Sequence, residues 1–308
     1  METSRTTPAD GYLYYPGCAL KGTGRAYEES LLALFRSLEI PLKELTDWSC
    51  CGATTYMSSD SRAAYRLAAR NLSLARQAGG ADLVAPCNGC YLTLKKTMEY
   101  SRQYPEVAED IREYLEGVHL PTLDEPVTIR HPMEVLYTDV GPERLKAGTV
   151  RKWAGGPVAC YYGCQAVRPY SEVDRDANPM RMDELLQAVG VPTVPYALKT
   201  KCCGASHTGT IREIGVRLSY VLLREAVRQG AAAVVTICPL CQFNLDVFQD
   251  EMRRQDPSLP DVPILFLTQL LAWALGADPK ELGIQRCISG ADKVRNWFHI
   301  EKGALSHA

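Results

Sequence analysis

The 308-residue sequence has almost no net charge, −2, with 34 Lys+Arg against 36 Asp+Glu. It has no basic field to hold nucleic acid and no acidic run to keep a segment unfolded. Long apolar runs are also missing. The longest near-apolar stretch, Val262 to Gly276, is broken by Thr268 and Gln269 and is too short to span a bilayer. Met1 to Asp10 is polar and carries no apolar signal-peptide segment, so a cytoplasmic location is expected. No Gly-x-Gly-x-x-Gly occurs, which closes that route to nicotinamide or flavin binding in this chain. A ferredoxin-type Cys-x2-Cys-x2-Cys run is absent too. Apolar residues make up 46% and charged residues 23%, ordinary for a soluble globular protein, and the length allows one large domain or two of about 150 residues.

Cysteine is abundant, with 12 residues. Reducing cytosol disfavours structural disulfides, so this number points to metal or redox chemistry. Ten of the twelve fall in one five-cysteine pattern used twice. The first copy is Cys18, Cys50-Cys51 and Cys87-Asn88-Gly89-Cys90, with 31 and 35 intervening residues. The second is Cys164, Cys202-Cys203 and Cys238-Pro239-Leu240-Cys241, with 37 and 34. Cys160 and Cys287 are left over, and each reads as a small buried apolar residue.

The segments around the cysteines repeat as well. Tyr12 to Tyr15 reads as a strand, Gly24 to Leu38 as a helix stopped by Pro41, and Leu42 to Leu45 as a strand. Ser61 to Ala78 is a helix stopped at Gly79-Gly80, and Asp82 to Ala85 is a strand delivering Cys87 and Cys90, with a helix from Cys90 toward Tyr100. Pro157 to Cys160, Asp183 to Val189, Val194 to Ala197, Ile211 to Arg228 and Ala232 to Ile237 return in the same order. Cys202-Cys203-Gly204-Ala205 repeats Cys50-Cys51-Gly52-Ala53 residue for residue. A further echo joins Val127–Gly141 to Val262–Gly276, and the shorter offset there places an extra acidic segment within Ser101 to Pro126. The expected fold is therefore α/β and internally duplicated: two pseudo-symmetric Rossmann-like βαβ halves, each with a mainly parallel sheet and one cysteine motif. Residues 1–145 form the first cysteine-rich domain and 146–276 the second; 277–308 lie outside the repeat as a C-terminal tail available to a partner. All three cysteine stations of each half follow predicted strands, whose C-terminal ends gather loops at one edge of such sheets.

The residues alone leave three chemistries open. Zinc takes four tetrahedral ligands, one fewer than each half offers. Neighbouring cysteines in an extended segment point apart and chelate one small ion poorly, whereas a cluster of several iron atoms can use both. A disulfide between adjacent cysteines is strained. Gly52 and Gly204 would allow close backbone approach to a bulky inorganic core.

The doubled pattern, with Tyr14-Tyr-Pro-Gly-Cys18, Trp48-Ser-Cys-Cys-Gly-Ala53 and Ala159-Cys-Tyr-Tyr-Gly-Cys164, resembles the two cysteine-rich (CCG) domains of the heterodisulfide reductase B subunit over Tyr12 to Gly276. The resemblance implies two non-cubane 4Fe-4S clusters. Cys18, Cys50, Cys51, Cys87 and Cys90 would hold one; Cys164, Cys202, Cys203, Cys238 and Cys241 would hold the other. It implies an oxidoreductase that splits a disulfide, small or protein-bound, between the clusters. Electrons would come from a ferredoxin-like C subunit, with a flavoprotein A subunit behind it. The family often places His after the first cysteine of the second half; Gln165 stands there here, which admits a substrate other than the methanogen's coenzyme M–coenzyme B disulfide.

Cys51, Cys203 and His207 are the candidate catalytic residues. His207, four residues past Cys203, is a candidate proton donor to a departing thiolate, weighed against a solvated or capping role. His131, where the second half has Phe266, is expected to pack. Lys21, Arg25, Arg168, Lys199 and Lys201 sit near cysteine stations and could receive an anionic substrate, or be solvated charges. Tyr15 and Tyr161 precede the first cysteines and either shield the clusters or pack. Two other functions remain in view: an electron-relay CCG subunit of a flavin-dependent dehydrogenase for lactate, glycolate or glycerol phosphate, passing electrons toward quinone, and a zinc-stapled scaffold.

Overall fold

The computed structural model describes residues 7–79 and 82–300. The polar start of the chain, Gly80 of the expected helix stop with its neighbour at position 81, and the tail beyond position 300 lie outside the described residues.

The first half builds one parallel sheet from β1 (Tyr12–Tyr14), β2 (Leu42–Glu44), β3 (Leu83–Val84) and β4 (Ile129–Arg130), in the order β2-β1-β3-β4. The second half builds another from β5 (Val158–Tyr161), β6 (Ala233–Thr236) and β7 (Ile264–Phe266), in the order β5-β6-β7. The helices expected between the strands form at Arg25–Ser37, Ser61–Gln77, Arg181–Ala188 and Arg212–Arg228. Asp60 caps the second of these by accepting from the Ala63 amide. The duplication is therefore real in three dimensions, with β5, β6 and β7 repeating β1, β3 and β4.

The strand expected at Val194 to Ala197 does not form. Only Thr193 bridges, to Val158. Pro192 and Pro195 flank it and lack the amide donors a longer ladder would need. The second sheet thus lacks the edge strand that β2 supplies to the first.

The extra acidic segment of the first half is a helix, Pro105–Gly117. Its Ile111 and Leu115 close a small core with Tyr65 and Ala69 of the helix Ser61–Gln77, and Asp110 takes both Arg66 and Arg62. The two halves share one continuous core. Tyr27 stacks on Phe266 with ring centroids 4.5 Å apart, and Ser30 meets Thr268 at 2.6 Å, so Arg25–Ser37 lies against Leu267–Ala274 across the pseudo-symmetry. Arg130 on β4 is fully buried and held by Glu134 at 2.8 Å and Asp139 at 2.7 Å. Residues 277–300 fold back over both halves. Arg286 pairs with Glu29 at 2.8 Å, the Ser289 amide donates to Asp246, and Phe298 packs on Trp153 and Trp273.

Candidate metal centre

Five of the six cysteine stations follow a strand, as α/β topology requires of loops that meet at one rim, and the sixth, Cys202-Cys203, follows the segment in which only Thr193 bridges. Cys18 follows β1 in the turn Gly17–Leu20, Cys50-Cys51 follow β2, and Cys87 and Cys90 open the helix Asn88–Gln103 after β3. Cys164, Cys202-Cys203, and Cys238 with Cys241 at the start of Pro239–Val247 repeat this in the second half. Two helix N-termini therefore present their positive ends to thiol sulfurs.

The structure brings the predicted ligands together in pairs. Cys18 and Cys50 sulfurs are 4.0 Å apart, Cys51 and Cys90 3.2 Å, and Cys203 and Cys241 3.6 Å. Cys164 lies beside Cys202, and Cys238 beside Cys87 across the two halves, each pair near enough for one thiol to shift the other's ionisation. The two five-thiol sets thus touch. Among the described residues, no three His, Cys, Asp or Glu side chains close round one point as a single-ion site would. In both halves the inner three cysteines are buried, while Cys18, Cys50, Cys164 and Cys202 reach solvent to some degree.

Hydrogen bonding and burial separate the thiols electrostatically. Donation from the Cys18 thiol holds Cys50 below the usual thiol range, and donation from Cys164 brings Cys202 down to about 6. Cys51, which donates to Cys50 and is buried, is pushed up to about 12. Cys90 and Cys241 are raised by the hydrogen bonds they share with Cys51 and Cys203 and by burial. A buried set of five can ionise together only beside compensating positive charge. A core of several iron atoms fits that demand, and the two-tier arrangement of five donors fits it better than it fits a four-ligand zinc site.

The local glycines follow from contacts. At Gly17 and Gly163, both with positive φ, an added Cβ would fall 2.8 Å from the Cys90 sulfur and 3.0 Å from that of Cys241. Gly52 and Gly204 were expected to approach an inorganic core. Their tight protein contact is with helix backbone: an added Cβ would lie 2.7 Å from the Cα of Ala64 and of Gly215 respectively. Their positive φ also turns each amide back toward the sulfur two residues earlier, Gly52 to Cys50 at 3.5 Å and Gly204 to Cys202 at 3.3 Å.

Tyr15 and Tyr161 play the same part twice. Each buried phenol donates to the carbonyl just before the cysteine pair, Tyr15 to Ser49 and Tyr161 to Lys201, both at 2.7 Å. Three polar anchors escaped the sequence reading. Asn71 clamps Ser49 through its amide and carbonyl at 2.8 and 3.1 Å. Asn244 donates to the Cys203 carbonyl at 2.7 Å, and Ser219 to the same oxygen at 2.9 Å. Their signal was a small polar side chain on an otherwise apolar helix face.

A cavity of about 260 Å³ is bordered by all five second-half cysteines. Thr54, Met57, Ser58 and Asn88 of the first half close its other side, with Gln165 and Ser206 between. No charged residue lines it. The five predicted cations are engaged elsewhere or outside it. Lys21 pairs with Glu28 and Glu44, Arg25 with Glu29, and Lys199 is buried on Asp183 at 2.6 Å. Arg168 donates to the Thr200 carbonyl, and Lys201 is exposed. His207 is exposed on the short helix Ala205–Thr208 and does not line the cavity. His131 is buried, joined to the Pro86 carbonyl and capping Met133, with burial pushing it down to about 4. Cys160 is wholly buried, and Cys287 bonds the Ser289 carbonyl.

Fold and site together define a doubled cysteine-rich protein in which each half gathers five cysteines. The chain belongs to the CCG cysteine-rich domain family, whose domain matches residues 12–95 and 158–246, and to its members of the heterodisulfide reductase B-subunit type. It is 30% identical to a protein of that type from Archaeoglobus profundus, over 92% of this chain and 96% of that one. It is 29% identical to the B subunit of the ferredoxin/F(420)H(2)-dependent CoB-CoM heterodisulfide reductase of Methanosarcina acetivorans, over 94% and 97%. Similarity of 29%, over 92% and 98%, also links it to the 8-methylmenaquinol:fumarate reductase membrane anchor subunit of Wolinella succinogenes. Among the described residues, no helix of this chain is long and apolar enough to cross a membrane. A solved structure of a hypothetical protein from Helicobacter pylori shares the fold, with TM-score 0.68 and 14% identity over 94% of this chain; the chain spans about half, 54%, of that one.

Proposed function

We propose that the chain is the catalytic subunit of a heterodisulfide reductase-like complex, cleaving or forming a disulfide at two non-cubane 4Fe-4S clusters. Cys18, Cys50, Cys51, Cys87 and Cys90 hold one; Cys164, Cys202, Cys203, Cys238 and Cys241 hold the other. When bound, such clusters supply electrons singly and iron that can take a sulfur. The overall change is balanced: one disulfide, two electrons and two protons give two thiols. The electrons come from an iron–sulfur partner of the C-subunit type, fed by a flavoprotein of the A-subunit type.

The observation that carries this reading is the cavity bordered by every second-half cysteine and closed by first-half residues. Contact between Cys87 and Cys238 supports it, because it puts the two ligand sets within reach of one substrate. Asn88, Gln165 and the hydroxyls of Thr54, Ser58 and Ser206 orient what enters. His207, exposed near Cys202, is the candidate to return a proton to a leaving thiolate.

A second reading has its own support. Similarity to a menaquinol:fumarate reductase subunit favours an electron relay toward or from quinone, with no disulfide substrate. Anaerobic purification with iron, sulfide and zinc analysis, then thiol release from disulfides with a reduced dye as donor, separates the readings. Thiol release supports the reductase. Iron and sulfide without thiol release support the relay, and zinc without sulfide refutes both.

A further inference from the structure

The lining of the second-half cavity constrains what can reach the cysteines. Its non-cysteine walls offer hydroxyls, a thioether and two amides, and no ammonium, guanidinium, imidazole or carboxylate. The cations that sequence proximity offered to an anionic substrate do not line it: Lys21, Arg25 and Lys199 are neutralised by carboxylates, Arg168 bonds a carbonyl, and Lys201 faces solvent. An anionic group entering here loses its water and finds no cationic side chain in the wall, while a neutral group escapes that cost.

One side chain is also unfinished. Asn88 is 1% exposed, and its Nδ2 donates to the Tyr162 carbonyl at 2.7 Å, yet its buried Oδ1 has no partner. A buried amide oxygen left alone is costly, so an arriving donor is rewarded. Gln165 reaches the same region: its Oε1 lies 3.5 Å from where a Cβ on Gly89 would be, and it is a half-buried part of the lining.

We propose that this site selects disulfides that are uncharged beside the sulfurs and carry an amide N–H, with Asn88 and Gln165 as the specificity-determining residues. The proposal rests on the reductase reading above and names its substrate class. Reduction is the balanced two-electron, two-proton cleavage already given, with the iron–sulfur partner as reductant.

The test uses the iron-loaded full chain under anaerobic conditions with reduced methyl viologen as donor. The probes share one skeleton: 3,3′-dithiodipropionamide is neutral and bears amide N–H groups, and 3,3′-dithiodipropionate is a dianion. Their thioethers, 3,3′-thiodipropionamide and 3,3′-thiodipropionate, cannot be reduced and report binding by calorimetry. The diamide disulfide should have kcat/KM at least ~30-fold above the dianion, and only the diamide thioether should bind. Asn88→Leu should lower kcat/KM for the diamide about tenfold without affecting the dianion. Gln165→Lys, at a half-buried position that tolerates exchange, should raise the dianion about tenfold at unchanged iron content. Equal use of both disulfides, or preference for the dianion, overturns the charge selection and leaves the reductase reading standing. Cleavage of neither disulfide overturns both.

Discussion

Asn244 offers the sharpest test of how the polypeptide holds the second centre. Its side chain is 1% exposed and makes three hydrogen bonds: to the Cys203 carbonyl at 2.7 Å, to the Ser219 hydroxyl at 2.8 Å and from the Thr208 hydroxyl at 2.5 Å. Those bonds tie the cysteine-pair loop, the helix after it and the helix after Cys238 into one unit. Asn244→Leu keeps the volume and removes all three. Ser219 still serves the Cys203 carbonyl, and Thr208 still has the Gly204 carbonyl at 3.1 Å, so few groups are left alone. At ~1 kcal/mol net for each bond, the loss is about 3 kcal/mol. For a chain of 308 residues that corresponds to roughly 5 °C in Tm. The loop carrying Cys202 and Cys203 should loosen with it, so about half of the iron should be lost on anaerobic desalting, with the first centre kept. Differential scanning calorimetry and iron analysis of the same preparation check both numbers. A variant melting within ~2 °C of wild type with full iron would refute the clamp.

Replacing Cys51 or Cys203 with Ala should remove one centre each, halving iron while far-UV circular dichroism stays unchanged. Asp139→Ala strips the fully buried Arg130 of a carboxylate bonded at 2.7 Å and leaves its charge less well paired, at a cost of about 3 kcal/mol by urea unfolding. Burial lowers His131 from 6.5 to about 4, so the folded chain refuses a proton that the unfolded chain accepts. Its contribution is complete above pH ~6.5 and is lost as pH falls toward 4, about 3 kcal/mol in all. His131→Asn, which retains a capping acceptor, should flatten that part of the stability–pH curve; an unchanged slope in urea titrations from pH 7 to pH 4 would count against a buried neutral imidazole.

Much of the architecture was legible because repetition makes local signals agree. Ten cysteines at matched spacing, beside apolar runs of strand length, marked the duplication, its helices and all but one of the strands before their cysteines. Cys160 and His131 were rightly read as packed, since each falls inside or directly after a buried strand. The expected strand after Val191 was misread because apolar residues there outweighed the two prolines that remove its donors. The glycines after the cysteine pairs were recognised as necessary, but the helix backbone that each one touches begins several residues away and left no local signal.

The sequence by itself determined which soft sulfur atoms are on offer, how many there are and that ten of them come in two equal sets, because those are matters of residue type and spacing. Tertiary structure alone decided where the two sets face one another. Cys87 and Cys238 are 151 residues apart in the chain, and only the packing of one sheet's rim on the other brings them together. It also decided that the lysines and arginines closest to the cysteines in sequence do not line the second-half cavity. Adjacency along a chain says nothing about which carboxylate captures a long flexible cation, and three of the five find carboxylate partners.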